Sequence, residues 1–377
     1  MTSPPPHSPR SSDRFPKGEA RFPKAASGGR FPAEWSRHRA TWLAWPHHEP
    51  DWPGKFDTIP WVYAEIVRVL YAHEAVEILC ANEDVRENAA RVLGAHGVDA
   101  RRVQLHLVPT DRVWTRDSAP TAVRHADGRI EWIGWAFNAW AKYDNYAHDA
   151  CVANRIAQLS GLPLRRAVRP DTGAPLVLEG GGIETNGEGV LLVTEEWLLS
   201  PEQVRNPGMR RGDYERAFAE YLGIDHTIWL GKSCAGDDTH GHIDDVARFT
   251  DEHTIVLAYE PDPADANHEP SADNLRRLEL AARDVRGGLR VVTLPFPRAV
   301  IMDGQRLPAS YANFYIANDV VLVPTFNDRR DRDALTTLAG LFPTREVIGI
   351  HAVDLVWGLG TLHCLTQQQP ACPAPPA

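Results

Sequence analysis

One order of elements returns along this chain and limits its fold more tightly than any bulk property. Residues 183–185 and 190–194 read as two strands joined by Asn186-Gly187-Glu188-Gly189, a hairpin signal because asparagine and glycine tolerate the positive φ of a tight turn. An amphipathic helix over 213–221 follows, with Tyr214, Ala217, Phe218 and Tyr221 as its apolar positions, and then a strand over 226–230. This ββαβ order returns at 243–249, 254–259, 272–284 and 289–294, and again at 311–316, 320–323, 332–341 and 346–350. An earlier copy uses 119–124, 130–135, 148–159 and 164–168. A fifth is completed only by joining the chain ends: a strand over 362–366 pairs with one over 41–45, followed by a helix over 61–72 and a strand over 76–79. Such closure removes exposed sheet edges and gathers the residue that opens each hairpin near one axis. The expectation is a single α/β domain over 30–370, a five-bladed pseudo-symmetric ββαβ propeller; two α/β domains with accidental spacing are the alternative.

Polar clusters stand at those openings. They are Trp114-Thr115-Arg116-Asp117, Leu178-Glu179-Gly180-Gly181-Gly182, His240-Gly241-His242-Ile243-Asp244 and His363-Cys364. Asp117 to Glu179 is 62 residues, Glu179 to His242 is 63, and His242 to Cys364 is 122, close to twice that interval. One chemical group per repeat follows: a thiol nucleophile, an imidazole acid/base and carboxylates that hold a cation. Cys364 is expected on a short strand after the turn Gly358-Leu359-Gly360-Thr361, with the polar run 366–369 lining the site. His242 and Asp244 would share one strand face. The metal reading uses His240, His242 and Asp244, but lacks a third partner motif. The three glycines make a poor phosphate loop, since no Lys-Ser/Thr follows.

Composition narrows the class. The chain is 43% hydrophobic and 24% charged, without an apolar run long enough for a membrane helix. Its net charge of −10 and scattered Lys and Arg argue against nucleic acid and for small, cationic ligands. Five cysteines without a CxxC pair, and no apolar N-terminal segment, point to a reducing cytoplasm. Residues 1–29, rich in Pro, Ser, Arg and Lys, and the Pro-rich 371–377 are expected to be disordered tails.

The motifs resemble those of the agmatine deiminase family, within the guanidine-modifying superfamily that includes bacterial peptidylarginine deiminase and arginine deiminase. Besides the clusters above, the likeness is carried by Phe31-Pro32-Ala33-Glu34-Trp35, Thr41-Trp42-Leu43-Ala44-Trp45-Pro46, Arg205-Asn206-Pro207, Asn313-Phe314-Tyr315 and Leu365-Thr366-Gln367-Gln368-Gln369-Pro370. It implies a pentein-type five-bladed fold. It also implies that Cys364 attacks the guanidinium carbon, that Asp117 and Asp244 hold its nitrogens, and that His242, oriented by Glu179, protonates the departing ammonia and then activates water. Trp114 and Asn313 would contact substrate. Neither metal nor organic cofactor is required, and the partner is a small cationic guanidine; a homo-oligomer, dimer or tetramer, is left open. Three positions depart from the family pattern: His240 where Asp or Asn commonly precedes Gly-His, Leu359 inside the glycine-rich turn, and a longer 200–204 segment. Agmatine is the leading substrate, with arginine or peptidyl-arginine as alternatives; a metal-dependent hydrolase and a non-catalytic guanidine-binding protein are the rivals from other classes.

Overall fold

The computed structural model describes residues 28–99 and 101–372. They form an α/β fold of mixed sheets. Five sheets have three or four strands, and a two-stranded ribbon joins Ile301–Met302 to Gln305–Arg306. The third sheet shows the common pattern: Glu184–Thr185 pairs antiparallel with Val190–Thr194, the helix Arg211–Leu222 crosses over, and His226–Leu230 returns parallel to Val190–Thr194. The same hairpin and parallel return organise Thr121–His125, Ile130–Gly134 and Leu164–Arg166. They recur in Ala247–Asp251, Thr254–Tyr259 and Arg290–Pro295, and in Tyr315–Ile316, Val320–Thr325 and Glu346–His351.

The first sheet joins the two ends of the described chain. Gln367–Pro370 pairs antiparallel with His38–Ala44, Gln368 facing Thr41, and Ala75–Cys80 and Val103–Leu107 continue the sheet in parallel. The helix Glu83–Ala95 and strand Val103–Leu107 extend this unit beyond the expected four elements. The helix does carry a start signal, Asn82, whose side chain accepts the Val85 N–H at 3.0 Å. Apart from Gly28 and Gly29, the tail expected over 1–29 lies outside the described residues, as do 373–377. Gly29 and Arg30 pair with His125 and Arg124, and the Ala371 N–H donates to the Arg37 carbonyl, so both described ends are tied down.

Three local expectations are corrected. Residues 362–366 are not a strand: Leu362–Leu365 is one helical turn carrying Cys364, and the pairing strand begins at Gln367. Asn313 imposes the turn, since its Oδ1 accepts the Thr361 hydroxyl at 2.7 Å and the His363 N–H at 3.0 Å. Residues 366–369 are buried strand and its entry, not site lining. Their amides turn to protein partners: Trp42 Nε1 and Arg116 Nη1 donate to Gln369 and Gln368 at 2.9 and 2.7 Å, and Gln367 donates to the Pro120 carbonyl. Likewise Ile243–Asp245 is a 3₁₀ turn, and its strand starts at Ala247.

The sheets are joined by buried ions as well as by apolar packing. Arg248 donates to Glu184 Oε2 at 2.9 Å and to the Phe314 carbonyl at 2.6 Å, and pairs with Glu34 Oε1 at 2.9 Å. Its guanidinium is shared by three chain segments far apart in sequence, the geometry in which a buried charge keeps its partners. Trp42, Trp45, Trp52, Trp132 and Trp197 are fully buried, so much of the tryptophan content is core. No helix of the described residues is long and apolar enough to cross a membrane.

Candidate active site

Each of the five larger sheets has a polar residue just before one strand of its antiparallel pair. Asp117 lies in the turn Thr115–Ser118, Glu179 precedes Gly180–Gly182, and His242 precedes Ile243–Asp245. Cys364 lies in the turn Leu362–Leu365, and Asn313 precedes Tyr315–Ile316. The sequence pattern contained four such groups, and Asn313 fills the fifth position. All are buried.

The thiol is held between Asn313 and Asp244. Asn313 Nδ2 is 3.2 Å from Cys364 Sγ, and Asp244 Oδ2 is 3.6 Å from it. Asn313 Nδ2 also donates to Asp245 Oδ1 at 3.0 Å. His242 presents Nδ1 3.8 Å from Asp117 Oδ1 and Nε2 3.5 Å from Glu179 Oε2, and neither nitrogen has a hydrogen-bond partner among the described residues. Asp244 Oδ1 is also unpartnered. Buried polar atoms are otherwise nearly always satisfied, so three orphans at one point describe a site shaped for a polar guest. A Cβ placed on Gly181 would lie 2.6 Å from His242 Nδ1, 2.9 Å from Asp117 Oδ1 and 3.1 Å from Asp244 Oδ2. The three groups therefore converge on one small space, which glycine leaves open.

Charge is distributed unevenly there. Burial opposes a charge on His242, yet Asp117 and Glu179 outweigh it and raise its pKa to about 9. Burial, aided by Asp244 and Glu179 against the pull of His242, pushes Asp117 up to about 6. Glu179 goes the other way despite its burial, because Arg205 and His242 hold it at about 2. Arg205 Nε donates to Glu179 Oε1 at 3.1 Å, and Trp197 Nε1 to Oε2 at 2.6 Å. Burial and the charges of Asp244, Asp245 and Asp117 push the Cys364 thiol well above its ordinary range. These shifts favour a neutral thiol, an imidazolium and an excess of carboxylate oxygen, which a planar cation would balance.

A cavity of about 350 Å³ leads to this point. Cys364, Asp117, Trp114, Trp140 and Gly360 line it, together with Asp51, Arg112, Tyr143 and Asp238. Trp114 is both wall and core, packed on Trp52 with ring centroids 5.8 Å apart. Trp140 was not singled out from sequence: its Nε1 donates to Asp117 Oδ2 at 2.9 Å, and it lies in a loop without hairpin or helix periodicity. Arg205 belonged to a quoted motif, but its hold on Glu179 depends on a contact 26 residues away.

The structure does not bring the metal trio together. His240 lines a different cavity and contacts Ser200 Oγ at 2.9 Å through Nε2. His240 and Leu359, two of the departures noted above, have φ of 60° and 70°, the left-handed region that Asn, Asp and Gly adopt more readily. In the longer 200–204 segment, Gln203 donates to the carbonyls of Trp140 and Asp238, each at 3.1 Å, so the extension braces the cavity wall.

The family model for Porphyromonas-type peptidyl-arginine deiminase matches residues 30–370. The chain belongs to that family. Among its relatives, the agmatine deiminase of Pseudomonas aeruginosa is 33% identical over 371 residues, covering 92% of this chain and 96% of that one. The solved agmatine deiminase of Enterococcus faecalis superposes with a TM-score of 0.82 at 27% identity, covering 91% of this chain and 96% of that one. A C. jejuni agmatine deiminase with substrate bound gives 0.81 at 27% identity, covering 91% and 97%. The resemblance read from the motifs is thus borne out across this peptidyl-arginine deiminase family, whose members include enzymes named for agmatine.

Proposed function

We propose that this protein is a cytoplasmic agmatine deiminase, hydrolysing agmatine to N-carbamoylputrescine and ammonia. The observation that carries the reading is the convergence of Cys364, His242, Asp117 and Asp244 on a buried space with unpartnered acceptor and imidazole atoms. The similarity to agmatine deiminases over nearly the whole chain supports the substrate. In the same reading, residues 30–370 are one domain in which the five sheets stand as blades around the site.

Asp117 and Asp244 receive the guanidinium by charge-assisted hydrogen bonds from its N–H groups. Its positive charge offsets the carboxylates that hold the thiol neutral, so binding favours release of the thiol proton to solvent. Cys364 Sγ attacks the guanidinium carbon, and one nitrogen leaves as ammonia with the proton carried by His242. A covalent thiouronium remains on Cys364. His242, now neutral, takes a proton from water as its oxygen attacks the same carbon; the C–S bond breaks and the ureido product leaves. Glu179, fixed by Trp197 and Arg205, stabilises the imidazolium at both stages.

Ammonia release from purified protein given agmatine, free arginine and a blocked arginine peptide tests the reading, with Cys364→Ala as control. Agmatine-selective release that the substitution abolishes is expected. Preference for either arginine compound would move the substrate, and turnover by Cys364→Ala would overturn the nucleophile.

A further inference from the structure

His363 precedes the nucleophile, is buried, and has no part in the chemistry above. Its Nδ1 lies 2.7 Å from Asp244 Oδ2 and its Nε2 lies 2.8 Å from Glu34 Oε2. None of the three side chains is more than 5% exposed. Despite their burial, His363 holds Asp244 below the ordinary carboxylate range, and Arg248 with His363 holds Glu34 well below it. An ionised carboxylate can only accept, so the contact with Asp244 is an Nδ1–H donation.

The far side of this bridge is rigid without His363. Glu34 Oε1 is 2.9 Å from Arg248 Nη2 and accepts the Ile316 N–H at 2.8 Å, while Oε2 is 3.4 Å from Arg116 Nη2. Asp244 has no comparable support. Its Oδ1 is unpartnered, and its Oδ2 is shared between His363 and the more distant thiol at 3.6 Å. The cost of losing His363 therefore falls on Asp244.

We propose that His363 is a positioning residue which, clamped by Glu34, fixes the rotation of Asp244 so that Oδ1 faces the incoming guanidinium and Oδ2 stays occupied beside the thiol. This rests on the deiminase reading. The chemistry requires a donor at the Nδ1 position and nothing more from the ring, which separates positioning from packing: asparagine places an amide N–H close to Nδ1, whereas leucine keeps bulk and donates nothing.

The test is agmatine binding by calorimetry in a Cys364→Ser background, where turnover is removed, comparing His363 with His363→Asn and His363→Leu. Thermal melts run alongside. Losing one charge-assisted hydrogen bond predicts affinity about 10- to 100-fold weaker for the leucine variant. Asparagine is expected to recover binding to within about tenfold of the histidine background, and KM in the Cys364 enzymes to follow the same order. Equal weakening by both variants, or unchanged affinity in both with only the melting temperature lowered, would overturn the role. If the leucine variant does not fold, the asparagine variant decides: a loss beyond about tenfold in folded protein overturns the proposal. Absence of agmatine binding with His363 intact and the protein folded would instead bring down the deiminase reading itself.

Discussion

Trp140 donates its indole N–H to Asp117 Oδ2 at 2.9 Å from a backbone that is left-handed at three consecutive residues, Ala139, Trp140 and Ala141, with φ of 49°, 59° and 55°. Each non-glycine residue held there costs on the order of 1–2 kcal/mol. The turn persists because its side chains are bound on several sides: Phe137 and Tyr143 meet the Trp140 ring edge-on, and Asn138 Oδ1 accepts the Ala141 N–H at 3.0 Å. Strain of this kind concentrates where a side chain must be aimed. Here the aimed group fixes one oxygen of Asp117, while the Gly181 N–H fixes the other at 3.0 Å.

Trp140→Phe keeps the cavity wall and removes the donor. The expected result is kcat/KM for agmatine lower by about 10- to 100-fold, as for loss of a hydrogen bond to a charged group. Steady-state kinetics with a parallel melt check it. A fall in stability with unchanged kcat/KM would assign Trp140 to packing alone.

Gly181→Ala places a methyl group among His242, Asp117 and Asp244 at 2.6 to 3.1 Å. Displacing those groups by about 1 Å is expected to lower turnover at least about 100-fold. Gly212→Ala is the control, because a Cβ there meets only Arg216 Nη1 at 3.8 Å and lies in the helix Arg211–Leu222. Near-native activity in Gly181→Ala would contradict the convergence of the three groups on substrate.

The pH dependence follows from two opposite requirements. Asp117 must be ionised to hold the guanidinium, and it takes up its proton as pH falls through about 6. His242 must carry the proton it delivers to ammonia, and it loses that proton as pH rises through about 9. A bell-shaped kcat/KM profile with limbs near those values is expected, each limb belonging to the coupled cluster more than to one residue. Activity still climbing at about pH 10 would make thiol ionisation limiting instead.

Asp51 also lines the cavity, paired with Arg112. Its side chain is 5% exposed, its Oδ2 has no hydrogen-bond partner among the described residues, and burial pushes its carboxyl up to about 6 against the pull of Arg112. A cationic tail reaching it would be stabilised. Asp51→Asn is expected to raise KM about tenfold for agmatine while leaving that for neutral-tailed butylguanidine within about twofold. An equal effect on both compounds would make Asp51 a support for Arg112 alone.

The repeat was legible because its signals are local. Short apolar runs, an Asn-Gly turn and helical periodicity located the strands Val190–Thr194 and Thr254–Tyr259 and the helix Arg211–Leu222 to within a few residues. The even spacing of Asp117, Glu179, His242 and Cys364 singled those residues out, because one group per repeat is itself a periodic signal. What failed was also local. Residues 362–366 have the apolar character of a strand, but Asn313, about 50 residues earlier, supplies the acceptor that turns them into a helical turn.

Thus the sequence by itself determined the order of elements, the family, and the residue types able to do guanidine chemistry, since all three are written in short motifs and their periods. Only the tertiary structure decided which oxygens are free, that His240 faces away, that Trp140 and Arg205 hold the two carboxylates beside His242, and that His363 bridges Asp244 to Glu34. Those relations depend on burial and on partners 23 to 329 residues apart, where no local preference acts and only packing fixes distance and charge.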